Sequence, residues 1–399
     1  MNLSRRAGSV GAGLVLAGVG IGLVLGAVGA VGSRLARVAR SVVTPSPRAA
    51  DLEILGIDTA AQTIRISRSP DTELPGRYGI FSNGTINYLK IGVVLRSDDE
   101  TVTRKLLTHV GHDETIGQWG AFSGWYFETP DEIHVPYDDV EIPTPVGPAP
   151  AWLVPSVQGA AHDETWAVVV HGRGTNRSET VRALPVLREA GITSLLVSYR
   201  SDGVAPDSPT GLQGLGTTEW PDIEAAIEFA LEHGARRVVL MGWSMGGAIV
   251  LQTLVNTDHR DRIAGVILDS PVVEWRTVLE FQAKAIGVPS IAARATMGML
   301  ETPWVSRAAR AGEGIRFDDL DMVARASELR EPILILHSDD DGYVPVDASR
   351  ALAEERDDLV TMPRFAVARH TKLWNYDEAR WNTAIRDWLA AQGLAQETD

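Results

Sequence analysis

Ser244 lies in Gly242-Trp-Ser-Met-Gly246, between the apolar run Arg237–Met241 and a helix-forming stretch that continues to Leu254. A serine hydroxyl is a weak nucleophile until a neighbouring base takes its proton. A Gly-x-Ser-x-Gly segment at a strand-to-helix turn is the backbone context that lifts such a hydroxyl clear of the chain. The turn is so sharp that a side chain at either flank would strike the adjoining strand or helix, which accounts for both glycines. The helix N-terminus adds free amide groups that favour negative charge near the serine oxygen. The chain contains no cysteine, so a thiolate nucleophile, thiolate metal ligation and disulfides are excluded.

The elements that must carry this serine can be read from apolar periodicity. Trp166–Val170, Ser194–Tyr199, Arg237–Met241, Ile263–Leu268 and Ile333–Leu336 are short β-branched runs separated by helix-length segments. Near-continuous apolar strands of this kind predict a mostly parallel, doubly wound α/β sheet covered on both faces. Pro221 followed by Asp222 and Glu224 marks the start of one covering helix. The strand rhythm stops at about residues 274–328, where a helical cap is expected. Residues 50–133 read differently, as short runs punctuated by Gly, Pro, Asn and Asp, and form a small β-rich region. Its aromatic cluster, Trp119, Phe122, Trp125, Tyr126 and Phe127, is expected to pack against the neighbouring domain.

Residues 1–49 are expected to lie outside the fold, as a transmembrane anchor and linker. No charged residue occurs from Ala7 to Ser33, and 27 helical residues at 1.5 Å each span about 40 Å, enough to cross a bilayer. The run ends in the arginine-rich flank Gly32–Arg40 and not in a small-residue cleavage site, so a retained anchor is favoured over a cleaved signal. Arg5, Arg6 and the amino terminus oppose Arg34, Arg37 and Arg40 across the run, and the balance tips toward a cytoplasmic catalytic domain. Formal charge is −15, and residues 1–50 hold six arginines and no acid. The remainder therefore carries 31 of the 37 basic residues against all 52 acidic ones. A body that acidic repels phosphate backbones and excludes nucleic acid as a partner.

On the Gly242–Gly246 segment and its strand-helix setting, the chain resembles the α/β-hydrolase superfamily over roughly residues 134–399. It is similar in particular to membrane-anchored actinobacterial members of unassigned substrate, and to esterase and serine-peptidase branches with a G-W-S-M-G-G turn. The resemblance implies further site residues. In Val168-Val-Val-His-Gly-Arg-Gly-Thr175 a strand runs into an H-G-x-G turn. The backbone amides of Arg173 and Met245 are then the expected oxyanion donors, with His171 bracing the loop. Chain order calls for an acid and then a histidine. His337-Ser-Asp-Asp-Asp-Gly-Tyr-Val-Pro345 matches the family's H-G-x-x-D-x-x-V-P pattern, with Ser338 in place of glycine, and selects Asp341. Asp339 and Asp340 are its neighbours, and Asp269, at the end of Ile263–Leu268, is a rival acid. His370 is the sole histidine after Asp341.

The implied chemistry is hydrolysis of a carboxylic ester by a Ser-His-Asp acyl-enzyme mechanism, with no metal and no organic cofactor. The partners expected are a small-molecule acyl ester or a peptide, and the membrane through the N-terminal helix. The alternatives are a serine peptidase of the prolyl-oligopeptidase or iminopeptidase type and a non-catalytic binding scaffold. Arg173, Arg177 and Arg200 on nearby loops suggest a bias toward anionic substrates.

Overall fold

The computed structural model describes residues 33–45, 50–157 and 164–395. Among the described residues no helix is long and apolar enough to cross a membrane. The expected anchor, residues 7–33, lies outside them except for its last residue, as do residues 46–49 of the linker. The described part of that N-terminal stretch corrects the expectation that it stands apart from the fold. Residues 33–43 form a helix, α1, and its Ala39 and Val43 are buried in the core of the large domain.

The β-rich region is a closed six-stranded barrel. Its strands are β1 (Leu52–Asp58), β2 (Thr63–Ser67), β3 (Tyr78–Ser82), β4 (Tyr88–Ser97), β5 (Thr101–Leu106) and β6 (Trp119–Ser123), hydrogen-bonded in the order β1-β2-β5-β4-β3-β6. Closure leaves no free sheet edge. Alternation fills the interior: along β5, Val102, Arg104 and Leu106 all point inward. Arg104 is fully buried, and burial pulls its guanidinium down to about 10. It is retained because it donates to the carbonyls of Gly92, Thr72, Leu74 and Gly76, joining β4 to the loop before β3.

The second sheet begins with β7 (Asp138–Thr144) and β8 (Gly147–Val154), an antiparallel pair. β9 (Thr165–Val170), β10 (Thr193–Val197), β11 (Arg237–Trp243), β12 (Ile263–Asp269), β13 (Ile333–Ser338), β14 (Val360–Thr361) and β15 (Arg364–Phe365) complete it. The order is β14-β13-β12-β11-β9-β10-β8-β7, parallel from β14 to β10, with β15 also beside β13. Both faces are covered, as the apolar runs require. Val168, Val170 and Leu240 enter one core with α3 (Trp220–Glu232) and α4 (Met245–Asn256), while Val169, Val239 and Met241 enter another with α2 (Leu184–Glu189). Between β12 and β13 the chain forms α5 (Trp275–Ala285), α6 (Ser290–Glu301) and α7 (Pro303–Ala308), a helical cap.

The barrel is clamped onto the C-terminal segment of the large domain. Asp71 pairs with Arg369 at 2.7 Å and with Lys372 at 3.0 Å. Asn375 donates to the carbonyls of Arg77 and Gly124, and buried Arg182 donates to those of Gly124 and Thr371. Tyr126 and Phe127 pack on Trp374, whereas Trp119 is more than half exposed.

Candidate active site

Ser244 follows the last residue of β11 and precedes the first of α4, with φ 50° and ψ −116°. A non-glycine residue in that region is strained, and the surrounding sheet and helix over-determine it. The space around it explains the glycines. A Cβ on Gly242 would come to 2.5 Å from the Gly246 carbonyl oxygen, and one on Gly246 to 2.5 Å from that of Val170. β9, β11 and α4 can therefore pack this closely only without side chains there.

Three residues that are far apart in sequence meet at this turn. His370 Nε2 lies 3.0 Å from Ser244 Oγ, and His370 Nδ1 lies 2.7 Å from Asp341 Oδ2. Asp341 sits in the loop after β13. His370 sits in the loop after β15, between Arg369 at φ 62° and Thr371 at φ 52°. The Asp71 pairs with Arg369 and Lys372 brace that loop from both sides of the imidazole.

Asp341 is buried and saturated with donors. Its Oδ1 accepts from the amides of Tyr343 and Val344, each at 2.8 Å, and its Oδ2 faces a second imidazole, His337 Nε2, at 3.2 Å. Burial by itself would raise this carboxyl, but the charge of His370 and the hydrogen bonds from both histidines outweigh it and hold the group well below the usual range. His337 Nε2 also faces the Val344 carbonyl, so that nitrogen carries the proton and Nδ1 accepts from the Ser349 hydroxyl at 2.8 Å. The sequence showed His337 only as the first residue of the H-G-x-x-D pattern. Its position four residues before Asp341, flanking the same loop, was the available signal.

The rival acids are engaged elsewhere. Asp269 accepts from Trp381 Nε1 at 2.8 Å and from Ser270 Oγ at 3.0 Å, and burial pushes its carboxyl up. Asp339 pairs with Arg350 and Arg364, and Asp340 accepts from the amides of Ala368 and Arg369. Ser338, where the pattern has glycine, donates to Asp340 at 2.6 Å and stabilises the loop.

The H-G-x-G turn after β9 faces the serine. His171 is fully buried, stacked on Tyr199 and held at Nε2 by Asp202 at 3.1 Å, so it braces the loop. The Gly172 amide is occupied by Glu179. No described group accepts from the amides of Arg173 or Met245.

The three arginines expected to attract anions do not form a free cationic patch. Arg200 is paired with buried Asp222, and Arg177 lies over the Trp152 ring and bonds Ser198. Arg173 donates to Gln213 and, through Nη2, to the carbonyls of Ser41 at 3.0 Å and Thr44 at 2.8 Å. Only Arg200 is neutralised by a carboxylate; Arg173 and Arg177 are held by neutral groups, and Arg173 keeps its charge at the mouth of the site.

Two cavities open from Ser244. One, about 200 Å³, is apolar and is walled by Val38 and Val42 of α1 and by cap residues including Trp275, Val278, Met297 and Leu300. The other, about 460 Å³, is the more polar of the two and lies between the barrel and the sheet domain. His370, Lys372 and Arg369 line it from one side and Asp51, Asp71 and Phe122 from the other. Ser244, Arg173 and Tyr343 border both, whereas His370 borders the polar cavity and Met245 the apolar one. Among the described residues Glu224, Glu228 and His259 form the sole metal-like cluster, partly exposed and on the helix surface away from this site.

Comparison with known proteins agrees with this architecture. An esterase from Pyrococcus furiosus superposes with a TM-score of 0.51 at 16% identity, covering 66% of this chain and 94% of that one. Est1E from Butyrivibrio proteoclasticus gives 0.46 at 16%, covering 64% and 98%, and the esterase RhEst1 from a Rhodococcus species gives 0.45 at 18%, covering 64% and 99%. At 16% identity the likeness to the Pyrococcus furiosus esterase is one of fold alone. No curated protein matches the sequence. A domain of unknown function matches residues 53–123, the barrel. The model of the alpha/beta hydrolase family matches residues 167–381, more than half of the chain and the whole of the Ser244, Asp341 and His370 constellation, and the chain belongs to that family.

Proposed function

We propose that the protein is a serine esterase that hydrolyses carboxylic esters of apolar acyl groups through an acyl-enzyme. The observation that carries this reading is the continuous relay from Ser244 Oγ through His370 to buried Asp341, at 3.0 and 2.7 Å, opening onto an apolar cavity. His370 Nε2 takes the Ser244 proton as Oγ attacks the carbonyl carbon, while Asp341 holds the imidazole with its proton on Nδ1. The oxyanion is stabilised by the Arg173 and Met245 amides. His370 then returns the proton to the departing alkoxide, and water, deprotonated by the same imidazole, releases the acid and frees Ser244.

Ser244→Ala tests this directly. It should lower turnover of p-nitrophenyl esters by about 10⁴-fold or more and abolish labelling by a fluorophosphonate, with an unchanged melting temperature. Wild-type turnover by the variant refutes the assignment. Faster cleavage of aminoacyl amides than of matched esters would transfer the reading to a peptidase, and an unlabelled folded protein would leave a binding scaffold.

The charge-free run over residues 7–33 and its arginine flank support a single-pass anchor with the catalytic domain on the cytoplasmic side. Carbonate extraction and protease protection of inverted vesicles test the anchor and its orientation separately.

A further inference from the structure

The two cavities assign the two halves of an ester. The leaving oxygen must take its proton from His370 Nε2, so the leaving group has to lie on the side of the imidazole. That side is the polar cavity, since His370 borders it and does not border the apolar one. The acyl group therefore occupies the apolar cavity, beside Met245, and the alcohol enters the space beneath the barrel.

The chemistry of that space is unlike the acyl side. Asp71 is consumed by Arg369 and Lys372. Asp51, just before β1, accepts from the Phe122 amide at Oδ1 at 2.8 Å, and no other described residue donates a hydrogen bond to its carboxylate. Lys372 Nζ has acceptors for two of its protons, Asp71 at 3.0 Å and the His370 carbonyl at 3.3 Å. An open carboxylate oxygen and an ammonium proton thus face one cavity, close enough for the Lys372 charge to act on Asp51. The charges on its walls balance, Asp51, Asp71 and Glu179 against Arg173, Arg369 and Lys372, so neither a cationic nor an anionic alcohol gains a net attraction. A neutral alcohol with several hydroxyls satisfies both Asp51 and Lys372, donating to one and accepting from the other.

We propose that the six-stranded barrel is the leaving-group half of the active site and selects esters of polyhydroxylated alcohols, with Asp51 accepting from one hydroxyl and Lys372 donating to another. The proposal rests on the esterase reading and gives the barrel a role in specificity. No bond changes are required beyond those of ester hydrolysis.

The test compares 1-hexanoyl-glycerol, 6-hexanoyl-glucose and ethyl hexanoate, which share one acyl group, on the full chain in detergent. Wild type should show kcat/KM at least tenfold higher for one or both polyol esters than for the ethyl ester. The glycerol and glucose arms distinguish a glycerolipid-like from a sugar-like alcohol. Asp51→Asn keeps an oxygen for the Phe122 amide and replaces the open acceptor with a donor. The ratio of polyol to ethyl kcat/KM should then fall about tenfold, the size of one charge-assisted hydrogen bond, and the loss should appear in KM. Fluorophosphonate labelling shows that the variant's Ser244 site is assembled. Equal or better turnover of ethyl hexanoate by wild type overturns the proposal without any variant, as does a ratio unmoved by Asp51→Asn in labelled protein. Either result leaves the esterase reading standing. Absence of turnover on every ester, with no labelling of wild type, overturns both.

Discussion

Replacing Asp341 by asparagine changes one atom of the side chain, and the structure dictates how the new group must sit. Two main-chain amides, Tyr343 and Val344, point at Oδ1 from 2.8 Å, and only the amide oxygen of asparagine can accept from them. The NH₂ group is thereby directed at His370 Nδ1 and His337 Nε2, where Oδ2 was. His337 can still donate to the Val344 carbonyl. His370 has no such alternative. Its Nδ1 must become an acceptor, which moves the ring proton to Nε2 and leaves no lone pair facing Ser244. The loss should approach the 10⁴-fold seen when a triad histidine is held in the wrong tautomer, or about 5 kcal/mol of barrier. The assay is kcat on p-nitrophenyl hexanoate at pH 8, with fluorophosphonate labelling rates alongside. Asp269→Asn is the control, because that carboxylate is hydrogen-bonded to Trp381 and Ser270 and makes no hydrogen bond to the imidazole. It should keep kcat within about tenfold. An Asp341→Asn enzyme within tenfold of wild type, or a larger loss from Asp269→Asn, would refute this tautomer argument.

Other perturbations act on separate parts of the molecule. Gly246→Ala places a methyl group against the Val170 and His171 carbonyls, and should cost about 3 kcal/mol or more, seen as a lower denaturation midpoint together with lost labelling. Ala293→Leu narrows the apolar cavity. At roughly 30 Å³ per water-sized group, the 200 Å³ there accepts about six or seven methylenes, and the chain-length optimum on p-nitrophenyl esters should shorten by about three carbons. Burial opposes ionisation of Asp71, but Lys372 and Arg369 hold its carboxyl below the ordinary 3.8. Its folded value is depressed, so its contribution to stability is present above pH 3.8 and disappears as pH falls through the folded value. Urea midpoints of Asp71→Asn should therefore lie below wild type at pH 7 and converge with it in strong acid, and a gap that persists there would contradict the ion pairing.

The parts of the molecule governed by local backbone rules were readable in advance. The Gly242–Gly246 turn, the buried runs of β9 and β11–β13, and the break in strand rhythm that became the cap each follow from a few adjacent residues. Asp341 was separable from Asp339 and Asp340 only through pattern alignment, and the structure gives the reason: its neighbours are turned toward Arg350, Arg364 and the Ala368 amide. What escaped depends on partners distant in the chain. Asp71 and Arg369 are separated by 298 positions, and nothing near Asp71 signals that it braces the His370 loop. Arg104 reads as a polar position in an alternating strand, yet barrel closure turns it inward onto four carbonyls. The partners of Arg200 and Arg177 were hidden for the same reason, because Asp222 and Trp152 approach them only in the folded chain.

The grip of Arg173 on the Ser41 and Thr44 carbonyls bears on how the protein can be handled. Composition invites a cut near residue 46 to obtain soluble material. Such a trimmed chain would lose Val38 and Val42, flood the hydrocarbon slot with solvent from one side, and release Arg173 from the two carbonyls that hold it beside Ser244. Weak activity in that fragment would report a dismantled wall and not a poor catalyst, so the cut belongs before residue 33.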